Sequence, residues 1–218
     1  MLGLRLATEP GAPLKVLALG AHSDDIEIGC GGTIRTLARA YPQLEVVWVV
    51  LAAHGVRADE ARAGAERFLD GVSSRELRLL TFEDAFFPHE GARMKRFFEE
   101  LKAEVAPDLV FTHARHDLHQ DHRLVCELTW NAFRDHLILE YEIPKFDGDL
   151  ATPNVFVPLS EELCAFKVEA VIECFPSQQE KHWFTRDVLR GLMALRGAEC
   201  RSPSRYAEAF YARKLIWS

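Results

Sequence analysis

The chain has 218 residues, 48% of them hydrophobic, which is enough for one well-buried domain and short for two. A formal net charge of -7 excludes the basic footprint of a protein that tracks nucleic-acid phosphates. No apolar run approaches the roughly 20 residues that a transmembrane helix needs. Along the chain, the opening MLGLRLATEPGAPLK places an acidic residue and two prolines where a signal peptide carries its apolar core, so the expected location is cytosolic. Leu14 to Gly20 (LKVLALG) is a short branched apolar run bounded by Pro13 and Gly20, the pattern of a buried strand. A helical pattern follows from Gly31 and ends before Pro42, and Leu44 to Leu51 (LEVVWVVL) is a second apolar strand. Asp59 to Leu69 is amphipathic and helical, Glu76 to Leu80 is a third strand, Arg93 to Val105 a helix stopped by Pro107, and Asp108 to Thr112 a fourth strand. A helix from about Arg123 to Phe133 leads to a fifth strand within Leu137 to Ile143. The C-terminal third is less regular: a Pro/Gly/Asp-rich stretch from Pro144 to Pro158, then helices near Glu161 to Cys174 and Thr185 to Arg196.

Strands that are apolar throughout and alternate with helices predict a parallel sheet covered on both faces, in one α/β domain spanning residues 1–218. The expected order is 3-2-1-4-5. In such a sheet, ligands bind where the carboxyl ends of strands 1 and 4 diverge. AHSDDIEIGCGGT follows the first strand directly, and HARHDLHQDH, residues 113 to 122, follows the fourth. Two His/Asp-rich segments far apart in sequence are thereby brought to one crevice.

Imidazole and carboxylate donors suit zinc, and catalytic zinc sites typically use three protein ligands. His22 and Asp25 are three apart, as are His119 and His122, so each pair can converge at the start of a helix. Asp24 is then a spare carboxylate beside the metal. Five scattered cysteines, none in a CxxC pair, read as reduced and mostly buried thiols rather than ligands.

At these residues the chain resembles the LmbE-like, or PIG-L, zinc-dependent N-deacetylases. That family carries A-H-P-D-D-(E/I) after its first strand and H-P-D-H after its fourth. Here they stand as Ala21-His22-Ser23-Asp24-Asp25-Ile26 and His119-Gln120-Asp121-His122, with Ser23 and Gln120 in place of the usual prolines. The glycines of Gly29-Cys30-Gly31-Gly32-Thr33, a late Lys167, Ala170, Ser177, Gln178 pattern and Tyr206-Ala207-Glu208-Ala209-Phe210 extend the likeness along the chain. The resemblance implies a Rossmann-like three-layer αβα fold. It implies one zinc per chain held by His22, Asp25 and His122, although the donor set also admits iron or another divalent metal. It further implies Asp24 as general base, His119 as oxyanion stabiliser or proton donor, Asp121 as the group that orients His119, and Arg57 facing the site. The implied reaction is removal of the N-acetyl group from an acetylated amino sugar of N-acetylglucosamine type, or from its conjugate. The expected partner is that small molecule, with neither nucleic acid nor a transmembrane segment involved; a homo-oligomer is left open.

Several assignments have competitors. Arg57 is equally a helix-start residue paired with Asp59 or Glu60, and Asp24 or Asp25 could simply cap a helix. His113 and His116 match no ligand position and are expected at the rim of the site or behind the ligands. Asp117 either caps the next turn or hydrogen-bonds a ligand histidine. Tyr206 and Glu208 line the pocket or anchor the C-terminal segment. The glycines after strand 1 lack the GxGxxG spacing of a dinucleotide fingerprint, and are read as letting the helix pack closely behind the site. Rival functions are a metal-dependent hydrolase of another carbonyl or phosphoryl group, and a non-catalytic sugar or metal binder. A phosphohydrolase of the HD type, suggested by His116-Asp117, would require an all-helical fold.

Overall fold

A computed structural model describes residues 12–216 together with Gly3 and Leu6, so most of the N-terminal stretch on which the cytosolic expectation rests lies outside the described residues. The elements in chain order are β1 (Leu14–His22), α1 (Asp25–Ala40), β2 (Leu44–Ala52), α2 (Val56–Phe68), β3 (Ser74–Leu79), α3 (Gly91–Glu104), β4 (Leu109–His113), α4 (Gln120–Ala132) and β5 (Leu137–Tyr141). They continue with β6 (Val155–Leu159), α5 (Glu161–Cys174), α6 (Arg186–Glu199) and β7 (Tyr206–Ala212). The sheet order is β3-β2-β1-β4-β5-β7-β6. Its first five strands are parallel and follow the expected 3-2-1-4-5 order. The other two extend the sheet in the opposite sense: β7 runs antiparallel to both β5 and β6.

The apolar strands are explained by burial on both faces. Leu14, Val16 and Ala18 of β1 enter one core with Ile26 and Ile34 of α1, Phe68 of α2, Val171 of α5 and Met193 of α6. Leu17, Leu19 and Ala21 enter the other, with Phe98 of α3 and Val125 of α4. Alternate residues of one strand thus feed two cores, and neither face is free to be polar.

Helix α1 begins at Asp25, six residues earlier than the sequence pattern suggested, so that Asp25 belongs to its first turn. The helix lies tight against the sheet. A Cβ on Gly29 would collide with the Tyr141 ring, and one on Gly32 would come within 2.9 Å of Glu208. These glycines admit neighbouring side chains rather than a nucleotide.

The C-terminal segment supplies the clamp. The buried Lys167 of α5 pairs with the buried Glu208 of β7. Glu208 accepts hydrogen bonds from the Gly32 and Thr33 amides and the Thr33 hydroxyl, while Lys167 donates to the Ile28 carbonyl. Ile28 C=O and Gly32 N–H are an i, i+4 pair, the two groups that bond each other in a regular helix. The ion pair therefore grips α1 by its backbone. Glu208 is an anchor, and Tyr206, whose hydroxyl accepts from Arg190 of α6, ties the same strand to its neighbouring helix. Four of the cysteines are buried, Cys200 is half-buried, and all five are free thiols.

Candidate metal centre

The strand order reverses between β1 and β4, and the loops leaving their carboxyl ends diverge there. β1 delivers His22 and α1 opens with Asp25, whose Oδ2 accepts the His22 amide at 2.7 Å. β4 ends on His113, and α4 opens at Gln120 with His119 as its N-cap and His122 in its first turn. The two motifs meet as expected.

Three donor atoms converge. His22 Nδ1 lies 3.2 Å from His122 Nε2 and 3.4 Å from Asp25 Oδ2, and His122 Nε2 lies 3.6 Å from Asp25 Oδ1. Ligand bonds of about 2.0–2.1 Å in a tetrahedral zinc site imply edges of about 3.3 Å, so these separations fit one ion. The surrounding groups fix the tautomers. His122 Nδ1 is 2.9 Å from Asp117 Oδ2, which makes Nδ1 the protonated nitrogen and leaves the Nε2 lone pair facing the centre. His22 Nε2 is 3.0 Å from Asp84 Oδ1 and 3.3 Å from Asp121 Oδ2, so its proton sits there and Nδ1 is the free donor. Two lone pairs and a carboxylate aimed at one point repel each other unless a cation lies among them. The donor set fits a divalent metal.

The electrostatics agree at His122 and Asp25. Burial disfavours a charge on His22, but Asp121, Asp25 and Asp84 outweigh it and hold its pKa well above the usual value. Burial, reinforced by His113, pushes His122 down to about 3. Asp25 is buried too, yet His122 and His113 hold it well below the usual carboxylate range. His122 and Asp25 are thus poised as the neutral imidazole and ionised carboxylate that bind metal. His22, favoured as imidazolium by its three carboxylates, gives up a proton when a cation takes its place among the donors.

Asp24 is the N-cap of α1, but its side chain makes no capping bond. Its carboxylate accepts instead from Arg57 Nη2 at 2.6 Å, and burial raises its pKa despite that guanidinium. Arg57 also holds Glu60 at 2.7 Å, and Glu60 in turn accepts the Ser177 amide at 2.8 Å. Both readings of Arg57 are thus present in one side chain, which faces Asp24 while bracing the start of α2. His119 stacks on His122 with centroids 4.5 Å apart, and its Nδ1 accepts the Asp121 amide at 3.2 Å. The Asp121 carboxylate does not orient the His119 ring; it accepts from the Ala85 and Phe87 amides at 2.7 and 3.2 Å and faces His22. Burial, then His22, lowers the pKa of His119.

Three further contributors surround the donors: His113, in one of the two placements offered for it, and two residues without a motif. His113 is fully buried beneath the site, stacked on His122 at 3.8 Å, with its Nε2 accepting the Ala21 amide at 3.0 Å. That lone pair is engaged, so His113 supports the ligands rather than joining them, and it does not lie at the rim. Its position as the last residue of a strand beside β1 was the usable signal. Lys145 sits 3.0 Å from Asp117 Oδ1 and 2.5 Å from Asp149, bracing the partner of His122. Asp84, in the turn after β3, carried no motif. His116, by contrast, is exposed and packs edge-on against Tyr211 at 4.6 Å.

Residues 17–133 match the family described as PIG-L: GlcNAc-PI de-N-acetylase. The chain belongs to the PIG-L family. A relative in Escherichia coli (strain K12), named as the uncharacterized deacetylase YaiS, is 29% identical over 167 residues, covering 72% of this chain and 88% of that protein. Among solved structures, the conserved protein TT1542 of Thermus thermophilus aligns with a TM-score of 0.70 at 20% identity, covering 94% of this chain and 97% of that one. N,N'-diacetylchitobiose deacetylase of Pyrococcus horikoshii aligns at 0.63 and 20% identity, over 91% of this chain and 83% of that one. The same PIG-L architecture is shared by GalB of Pseudomonas putida KT2440, a 4-carboxy-2-hydroxymuconate hydratase, with a TM-score of 0.71 at 17% identity over 94% and 98% of the two chains. The fold alone therefore does not fix the reaction. Family membership and the deacetylase relatives support a deacetylase, and the His/Asp cluster could bind a metal. Among the described residues no helix is long and apolar enough to cross a membrane.

Proposed function

We propose that this chain, as one PIG-L domain over residues 1–218, is a cytosolic zinc-dependent hydrolase that removes the N-acetyl group from an N-acetylglucosamine-type sugar or its conjugate. The observation that carries this reading is the convergence of His22 Nδ1, Asp25 and His122 Nε2 beside a buried, uncapped Asp24. The family description, and the deacetylases among the relatives, support the acetyl group as the target. Zinc held by His22, Asp25 and His122 would supply Lewis acidity at the amide carbonyl and lower the pKa of water.

The remaining chemistry belongs to the chain's own groups. Asp24, raised by burial, is a stronger base than an exposed carboxylate and takes the proton from the water that attacks the amide carbon. Arg57, 2.6 Å away, fixes the direction of the Asp24 carboxylate. His119, neutral and accepting at Nδ1, carries its proton on Nε2 and donates it as a hydrogen bond to the oxyanion. Asp24 then returns its proton to the departing amine. Asp117 and Lys145 hold His122 in the required tautomer.

Native mass spectrometry of wild type and His122→Ala, each reloaded with stoichiometric zinc, tests the reading together with acetate release from N-acetylglucosamine conjugates. One tightly held zinc in the wild type, absent from the variant, and acetate release that depends on it are expected. A folded wild type that takes up no zinc would sink the reading and leave a sugar-binding module.

A further inference from the structure

Arg57 meets the rest of the chain on three sides. Its Nη2 donates to Asp24 Oδ1 at 2.6 Å, its Nη1 to Glu60 Oε2 at 2.7 Å, and its guanidinium carbon lies 5.6 Å from the centroid of the Phe175 ring. Glu60 is buried, and Arg57 alone does not satisfy both of its oxygens. The other donors come from the short 3-10 turn Pro176–Gln178 that follows α5, with Ser177 lying 117 positions beyond Glu60 in sequence. The Ser177 amide donates to Glu60 Oε1 at 2.8 Å, and the Ser177 hydroxyl to Oε2 at 2.7 Å. That hydroxyl accepts in turn from Arg57 Nη1 at 3.3 Å and from Nε2 of the buried Gln178 at 3.0 Å. One donated and two accepted bonds use the full capacity of a hydroxyl, which leaves it a single orientation.

We infer that Glu60 and Ser177 are positioning residues, which together lock the Arg57 guanidinium so that its remaining edge holds Asp24 in one direction. A guanidinium is planar, with its donors in a fixed fork, so pinning Nη1 fixes where Nη2 points. Arg57 and Glu60 are one turn apart on α2 and can pair in several rotamers on a helix surface. Ser177 removes that freedom, because it grips both carboxylate oxygens of Glu60 and touches Arg57 as well. The turn after α5 is thus a stop against which the Asp24–Arg57–Glu60 chain is set, and it comes from a segment remote from both His/Asp motifs. A displacement of about 1 Å at a reacting group can cost about 10²-fold in rate, so a loosened stop is felt in turnover. The effect on turnover rests on the proposed function; the immobilisation of Arg57 does not.

Two readouts test it: the kinetics of acetate release, and nuclear magnetic resonance of the Arg57 guanidinium in protein made with isotope-labelled arginine. The Arg57 signals are assigned by their loss in Arg57→Lys. Hindered rotation about Cζ–Nε keeps the two Nη groups distinct in a locked guanidinium and merges them in a free one. Wild type should show distinct Nη signals. Ser177 is exposed, so its variants retain the fold. Ser177→Ala, and Glu60→Gln more fully, should merge the signals and lower kcat by about tenfold, with KM and zinc content unchanged. Ser177→Thr, which keeps the hydroxyl, should behave as wild type. In an Arg57→Lys background, Ser177→Ala should cost less than about twofold, because residues that act through one partner are not additive. Distinct Nη signals that persist in Ser177→Ala overturn the inference. So does a loss of turnover as large in the Arg57→Lys background as in the wild type. Distinct signals that merge in Ser177→Ala, in a protein that releases no acetate, bear out the immobilisation and sink the deacetylase reading alone.

Discussion

Asp24 and Asp25 are adjacent in sequence and opposite in behaviour. His122 and His113 hold Asp25 ionised against its burial, whereas burial raises Asp24 despite Arg57. Two carboxylates whose environments separate them this way suit the proposed division into a ligand and a base. Asp24→Asn should keep its zinc, read by elemental analysis, and lose about 10²- to 10⁴-fold in turnover, read by acetate release. Unchanged turnover would remove Asp24 from the mechanism. Glu27, two residues on from Asp25, is fully buried beside Gly64, and neither carboxylate oxygen is bonded among the described residues. Burial, followed by the charges of Asp24 and Asp25, pushes its pKa well above 4.5. The folded state therefore holds a proton there that the unfolded chain has released, so stability falls as pH rises above the unfolded value. Glu27→Gln should melt higher than wild type at pH 7, by about 2–4 °C for each kcal/mol relieved, and the difference should close below about pH 4.5. Equal melting temperatures at both pH values would show that the carboxyl finds a partner. At this scale the motif residues were legible because their spacing encodes a shared direction. Asp84 was not, since a lone aspartate in an exposed turn has no periodicity. Nor was the burial of His113, because nothing local marks the end of a strand as covered.

Among the elements, the first five strands and their helices followed from apolar runs and amphipathic spacing, and the two later helices were found within a few residues. β6 and β7 were missed. β6 reads VFVPL, and a proline within an apolar run argues against a central strand. Pro158 is tolerated because β6 is the sheet's edge. β7 reads YAEAFYA, with alanines and a charge that are poor strand formers. Its glutamate is buried because Lys167 neutralises it while both hold the backbone of α1. Removing one partner of a buried ion pair strands the other. Lys167→Met should therefore cost about 3–5 kcal/mol, while Lys167→Met combined with Glu208→Gln should recover much of that loss. Thermal melts check both. A single variant as stable as wild type would mean that water already reaches Glu208.

For the whole molecule, the position of the site is a property of topology. Any chain with this strand order presents a cleft where β1 and β4 part, and the hydratase of similar architecture shows that the cleft does not dictate the chemistry. The donor set does. The antiparallel end of the sheet has a different consequence, for the chain as it is made. β7 lies between β5 and β6, and among the described residues β6 pairs with no other strand. A ribosome releases both His/Asp-rich segments and all five parallel strands first, then β6, then two helices, and only afterwards the strand that joins them. Throughout that interval the growing polypeptide displays the unpaired amides of β5 and a loose β6, an open template for pairing with another copy. Chaperone protection during synthesis is needed most between Leu159 and Tyr206, after both His/Asp-rich segments have already been translated.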